Sequence, residues 1–356
     1  MRIALDWQIS SLFGWGIYGL NLALEWASDP DIVASGQIRN QAEDIVVDKL
    51  RRRALVPFIR RSLARAPDDA VLIHAMGNDL SALRTRPSGI GAIFFEQPFD
   101  KDAIFRAKTY DVIIAGSTWN AEVLKGYGLD NVVTIFQGVD RSLFHPAPKR
   151  GLYPGKFLIF SGGKAEPRKG QDLVVKEFRI FAERHADAML VTAWHSPWPN
   201  LRNGMDLDLS SVADRVIDIG AVSNGQMAPI YRECDVALFP NRAEGGTNLV
   251  AMECIACGVP TIVSACTGHD DLLGLSGVMP LSDWQERPDL WSEWGECSVD
   301  EIVEALDVAY RNCDPTRPRA GLPDDRFQWS DAASQLAAIA REHQPRSHHG
   351  RSTEAA

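Results

Sequence analysis

The sequence predicts an α/β protein made of two facing, doubly wound Rossmann-like domains with parallel sheets, and three observations predict it. Short apolar runs alternate with amphipathic stretches from the first residues onward. A proline- and glycine-rich segment with several cations, residues 140–155 (DRSLFHPAPKRGLYPG), interrupts that rhythm, and the alternation then restarts. Such alternation is what a parallel sheet covered by helices on both faces requires. At 356 residues, 45% apolar and 24% charged, the chain can bury two cores and shows no compositional sign of wholesale disorder.

In the first half the strand-like runs are residues 2–6, 71–76, 91–95, 111–117 and 132–136, with helix-like segments at 16–27, 101–109 and 119–127 between them. The break at 140–155 reads as a linker. After it, strands are expected at 157–161, 189–193, 216–219, 235–239 and 261–264, and helices at 172–183, 224–233 and 249–257. Residues 299–310 and 329–341 also have helical spacing. The expected organisation is a first domain over 1–145, a second over 146–328, a C-terminal helix over 329–343, and a disordered tail from 344 to 356.

The chain is organised around residues 241–263, NRAEGGTNLVAMECIACGVPTIV. An apolar run (DVALFP) enters a glycine turn, Thr247 or Asn248 can cap the helix that follows, Gly258 stands where a left-handed C-terminal residue belongs, and Pro260 stops continuation. Glu244 lies in the loop. Glu253 lies inside an almost wholly apolar helix, where a carboxylate is costly unless donors meet it.

Two other loops follow first strands. In the first half, Gly14, Gly16 and Gly19 form a GxGxxG that opens a helix. That pattern suits a dinucleotide, but no acidic residue follows at the end of a second strand, and glycines that let the helix pack on the sheet explain it equally well. In the second half, SGGKAEPRKG carries Gly163, Lys164, Arg168 and Lys169 into a helix N-terminus, which suits a diphosphate because backbone donors and helix dipole both favour anions.

Together, GGKAEPRKG, FQGVDRSLFHP, VIDIGAVSNGQMAPIYRECDVALFP and EGGTNLVAMECIACGVPTIVS resemble the retaining glycosyltransferase family 4. The resemblance covers the second domain and the end of the first. It implies the B-type glycosyltransferase fold, with the C-terminal helix returning to the first domain, and transfer of a sugar from a nucleotide-diphosphate sugar, UDP- or GDP-linked, to a hydroxyl acceptor, with retention of configuration. Carried onto this sequence, it places Lys164 and Lys169 on the donor diphosphate, Glu244 at the donor sugar, and Glu253 on the ribose hydroxyls. The backbone N–H groups of Gly246, Thr247 and Asn248 would face phosphate and sugar. Eight residues separate Glu244 from Glu253 where the family has seven. The family's first-domain histidine is also missing from the strand GAIFFEQPFD, so Glu96 or His74 is the candidate to stand in for it, with Gly14 and Gly16 on the acceptor side.

No cofactor and no metal are expected, because two lysines and a helix terminus can neutralise the leaving phosphates. Asp206 and Asp208 form a DxD in a polar loop and read as solvated. Cys254 and Cys257 have CxxC spacing inside an apolar helix and read as core. In the strand-end WHSPWP, Trp194 is a pocket or a core residue, and in TGHDD His269 is a donor neighbour unless Asp270 simply caps a helix. Trp284, Trp291 and Trp294 read as packing. A net charge of −10 argues against a nucleic-acid partner. The stretch from Lys49 to Arg65 carries seven cations and no acid, and reads as a solvated helix edge broken at Pro57 or as a weak peripheral contact with anionic lipid. Met1 runs straight into a strand-like RIALD and the six cysteines form no even framework, so the expected location is cytoplasmic, with the inner face of a membrane as the alternative. Two other functions stay open: a catalytically weak sugar-nucleotide-binding relative, and an NAD(P)-dependent dehydrogenase that uses the Gly14 to Gly19 loop.

Overall fold

The computed structural model of the chain describes residues 1–77, 80, 89–96, 101–195, 205–287, 294–314, 320–323 and 325–344. The first half alternates β1 (Arg2–Gln8), α1 (Gly14–Trp26), β2 (Val33–Gln37), α2 (Gln41–Asp44), α3 (Lys49–Ser62), β3 (Val71–Ala75), β4 (Ile90–Ile93), α4 (Lys101–Ala107), β5 (Val112–Ala115), α5 (Thr118–Gly126) and β6 (Val132–Thr134). Its six strands form one parallel sheet in the order β2-β1-β3-β4-β5-β6.

The second half begins with β7 (Phe157–Lys164), α6 (Gln171–Arg184), β8 (Ala188–His195), β9 (Val216–Asp218), α7 (Ala228–Glu233) and β10 (Val236–Phe239). It continues through α8 (Leu249–Ala256), β11 (Thr261–Ser264) and β12 (Val278–Leu281). These strands form a second parallel sheet, ordered β12-β11-β10-β7-β8-β9. The strand order reverses between β10 and β7, and a ligand crevice opens at such a switch point, beyond the carboxyl ends of the strands. The central strand β10 is buried at every residue, as a strand covered on both faces must be. A small antiparallel pair, β13 (Trp284–Glu286) and β14 (Gly295–Cys297), leads into α9 (Val299–Arg311), which packs beside α6.

The last helix, α10 (Trp329–Glu342), lies against α1, where Trp26 Nε1 donates to Ala333 O at 3.1 Å. Just before it, Val139 N donates to Phe327 O at 2.9 Å, so the two strands of chain that pass between the halves run side by side.

Three expectations need correction. β2 and β12 are strands that the sequence pattern did not reveal; one is VASGQ at a sheet edge and the other is VMPL, interrupted by Pro280, also at an edge. Edges tolerate glycine, serine and proline because one row of ladder bonds is not needed there. Helix α3 runs through Pro57 rather than breaking at it. Pro57 is exposed, so the carbonyl it leaves unpaired faces water. Residues 345–356 and Trp291 lie outside the described residues.

Candidate active site

The carboxyl ends of both sheets border one cavity of about 590 Å³. The first half contributes the loop after β1 (Ser10 to Ile17) with Phe94 and Glu96 beyond β4; the second contributes the loops after β7, β8, β9 and β10.

The loop after β7 carries the cations. Gly163, at φ +118°, and Gly170, at φ +66°, adopt left-handed conformations that set the turns around the short 3-10 helix Pro167–Lys169. Lys164 Nζ lies 2.8 Å from Glu166 Oε1. Lys169 Nζ is ion-paired to Glu244 Oε2. Arg168 is buried: its Nη2 lies 2.8 Å from both Glu96 Oε2 and Glu166 Oε2, and its Nη1 lies 3.4 Å from Glu244. Arg242 anchors this loop from below, donating to Pro167 O and to both Asp172 oxygens at 2.7–2.8 Å.

Glu244 enters the cavity despite the extra residue in its spacing to Glu253. Asn241 Nδ2 donates to its Oε2 at 2.8 Å, and its own N–H donates to Thr267 Oγ1 at 2.9 Å. Burial would raise its carboxyl, but Lys169 and Arg168 outweigh burial and hold it well below the usual range. Two glycines, Gly245 and Gly246, follow it. A side chain on Gly245 would meet Phe95 O at 2.5 Å, and Gly245 O accepts from Ser117 Oγ at 2.8 Å, so this loop seats directly on the first half.

Asn248, at φ +60°, caps α8, its Oδ1 accepting from Ala251 N at 3.4 Å. Its Nδ2 lies 3.0 Å from His269 Nε2, while His269 Nδ1 lies 3.1 Å from Ser264 Oγ and 3.3 Å from Ser264 O. The amide must donate, so Nε2 accepts and Nδ1 carries the proton. Burial pushes His269 down to about 4 and keeps it neutral, which fits that bracing. His269 therefore supports the cap and is not itself at the cavity wall, and Asp270 does not cap a helix here.

Glu253, buried in α8, points into the cavity from the other side. It accepts from Asn224 Nδ2 and, at 2.9 Å, from Tyr231 OH, and burial pushes it up to about 8 against those two hydrogen bonds. Gly163, Lys164, Lys169, Glu244, Gly246, Asn248 and Glu253 thus share one cavity, and Thr247 lies buried in the same loop with its hydroxyl on Met252 Sδ.

On the first-domain wall the two candidates for the missing histidine part company. Glu96 reaches the cavity and pairs with Arg168. His74 does not: it is buried in β3 with Nδ1 3.1 Å from Asp6 Oδ2, because alternation along the strand turns it away from the cleft. Gly14 and Gly16 line the cavity, and a Cβ on Gly16 would lie 2.6 Å from Ser10, so this glycine serves the close packing of α1 on its loop.

Around these polar groups the cavity is apolar. Trp15 meets Phe94 edge-on at 4.8 Å between centroids, and Phe13 stacks on His195 across the two halves at 5.9 Å. Trp194 donates to Ser161 Oγ at 3.2 Å, and Trp294 Nε1 donates to Glu96 O at 3.2 Å, holding the strand end that bears that carboxylate. Asp206 and Asp208 pair with Arg179, at 3.5 and 3.8 Å, outside the cavity. Cys254 is a buried thiol in α8, and Cys257 is a buried thiol at its C-terminal cap. Sequence reasoning did not single out Glu166, Asn224 or Tyr231, and it read Arg168 only as a loop cation.

Fold and site together define the class: a B-type protein of two facing Rossmann-like halves with a cavity lined by cations and carboxylates between them, similar to glycosyltransferase family 4. Residues 155–286 match the family model for glycosyl transferases group 1. The chain is 25% identical over 244 residues to the GDP-mannose-dependent alpha-(1-6)-phosphatidylinositol dimannoside mannosyltransferase of Mycobacterium tuberculosis, covering 65% of this chain and 58% of the relative. It is 27% identical over 216 residues to the D-inositol 3-phosphate glycosyltransferase of Segniliparus rotundus, covering 57% and 45%. The matches thus span roughly half the length of these curated relatives. Among solved structures, sucrose-phosphate synthase from Thermosynechococcus elongatus superposes with a TM-score of 0.68 at 16% identity, covering 96% of this chain and 98% of that one. Anabaena HepE in complex with UDP-glucose gives 0.60 at 13% identity, covering 97% and 95%.

Proposed function

We propose that the chain transfers a sugar from a nucleotide-diphosphate donor, UDP- or GDP-linked, to a hydroxyl acceptor with retention of configuration. The observation that carries this reading is the convergence of Lys164, Lys169 and the N-terminus of α8 on a cavity that also holds the buried carboxyl of Glu253. The lysines and the helix terminus point where negative charge grows as the anomeric C–O bond breaks. The bond from the anomeric carbon to the acceptor oxygen forms on the same face, and the acceptor's proton leaves with the departing phosphate. Glu253 takes the ribose hydroxyls, Glu244 the donor sugar, and the aromatic wall of Trp15 and Phe94 faces the acceptor. Transfer needs no divalent metal, since the cations are supplied by side chains. UDP-glucose in HepE and GDP-mannose in the mycobacterial relative support the two donor bases.

The exposed side of α3 and its flanks supports a second element of this reading. Leu50, 82% exposed, and Leu63, 61% exposed, stand among Lys49, Arg53, Arg60 and Arg61, so this side meets an anionic lipid surface in a chain that otherwise carries net −10. The chain works in the cytoplasm at the inner face of a membrane. A thermal-shift panel of UDP-, GDP-, ADP- and TDP-sugars tests the donor: a shift with a UDP- or GDP-sugar is expected, and no shift with any of them contradicts the proposal.

A further inference from the structure

Six side chains that can carry charge meet at the floor of the cavity, the cations Lys164, Arg168 and Lys169 and the acids Glu96, Glu166 and Glu244, so the signs balance. In the free chain both lysines are already taken, Lys164 by Glu166 and Lys169 by Glu244. An incoming diphosphate draws the two ammonium groups onto itself. The carboxylates they leave then lie beside a polyanion, and in a buried site such like charges repel strongly.

Arg168 is the cation placed to prevent this. It is 5% exposed, and its fork touches Glu166 from its own loop, Glu244 from the loop after β10, and Glu96 from the first half of the chain. Its carbonyl accepts from Arg242 N at 2.7 Å, which pins the residue to the layer beneath the cavity. A guanidinium keeps its charge when buried and offers five donors in a fixed plane, which an ammonium cannot match.

We propose that Arg168 is a positioning residue: a fixed counter-charge that holds Glu96, Glu166 and Glu244 ionised and in place across the interdomain cleft while Lys164 and Lys169 turn to the donor diphosphate. This rests on the donor reading above and adds a residue to it. The groups facing Arg168 respond as the proposal requires. Burial alone would lower Arg168, and the three acids more than offset it. Burial raises Glu96 even with Arg168 beside it, so Glu96 is the carboxyl that takes up a proton first if the guanidinium is removed. The remaining titratable neighbour, His269, is neutral and cannot replace the lost charge.

The test is calorimetric titration of the full chain with UDP and GDP from pH 5.5 to 8. Arg168→Gln is expected to weaken nucleotide binding about tenfold or more at pH 8, with the deficit relative to wild type shrinking as pH falls and the orphaned carboxylates protonate. Adding Glu96→Gln to Arg168→Gln is expected to recover much of that loss, and Arg168→Lys to fall between. Should Arg168→Gln not fold, Glu96→Gln alone serves: removing one acid from an intact cluster is expected to tighten binding. A purely structural Arg168 would give a deficit independent of pH and not rescued by Glu96→Gln. That result, or unchanged affinity in either single variant, overturns the proposal alone. A wild-type chain that binds neither nucleotide overturns the donor reading and the proposal with it.

Discussion

If Glu253 takes the ribose hydroxyls as proposed, the binding of a nucleoside diphosphate should depend on pH, and the size of that dependence follows from the surroundings of the carboxyl. In the free chain the carboxyl is buried in α8 and ionises only near 8, although Tyr231 and Asn224 already donate to it. Against an ordinary carboxyl this represents up to ~5 kcal/mol of resistance to charging. Two ribose hydroxyls add donors to the charged form, so the complex holds the carboxyl lower than the free chain does. The sign is then set: binding releases a proton below pH 8, and affinity rises with pH until it levels off there. The ceiling is tenfold per pH unit, or ~100-fold from pH 6 to 8, and about tenfold is expected because two donors are in place beforehand. Titrations in two buffers of different ionisation enthalpy measure the proton directly. Glu253→Gln should bind about tenfold more weakly at pH 8 and with a flat profile. Proton uptake on binding, or a wild-type profile that Glu253→Gln leaves unchanged, would refute the reasoning.

Lys169→Ala should lower the rate of donor cleavage by about 10²-fold or more through loss of charge at the leaving phosphate, seen as a fall in kcat; an unaltered kcat contradicts this. Glu177, buried in α6 with neither oxygen partnered among the described residues, is pushed by burial up to about 8, so the folded chain holds its proton more tightly than the unfolded one does. Stability is therefore lost as pH rises from the ordinary carboxyl range through 8, and Glu177→Leu should gain on the wild type over that window by about 1–3 kcal/mol in urea unfolding. Equal stabilities at pH 8.5 would count against it. Gly268→Ala would put a methyl 1.7 Å from Gly246 O and 2.7 Å from Glu244 O, so it should lower Tm and nucleotide affinity together; a variant with wild-type affinity would show that the two loops can part without consequence.

Much of the site was legible because its residues sit where a doubly wound sheet places ligands. Lys164, Lys169, Glu244 and Glu253 lie on or just beyond the loops after β7 and β10, and a glycine turn into a helix announces such a loop. Two parallel sheets also follow from the alternation, since buried central strands such as β10 are continuously apolar. What the pattern could not reveal depends on meetings between distant segments. Nothing local distinguishes Arg168 from a solvated cation; its three acids come from three separate loops. His269 lay next to a plausible capping aspartate, and only the fold brings it to Asn248 and Ser264. His74 lies within β3 and is held by Asp6, whereas Glu96 lies past the end of β4 and reaches Arg168, and that placement decided between them. The one signal for Asn224 and Tyr231 was Glu253 itself, because a carboxyl in an apolar helix demands donors and both are cavity-side residues of the preceding helical turn and helix.

In the proposed function this cavity cleaves the anomeric bond of a nucleotide sugar using the chain's own cations. The measurement that meets it most directly is proton NMR of UDP-glucose and GDP-mannose incubated with the chain and hydroxyl acceptors in excess chelator. Release of UDP or GDP, a product with the donor's anomeric configuration, and loss of both signals in Lys169→Ala are expected. Release that requires added Mn or Mg, a product of inverted configuration, or no cleavage of either donor would contradict the proposed function.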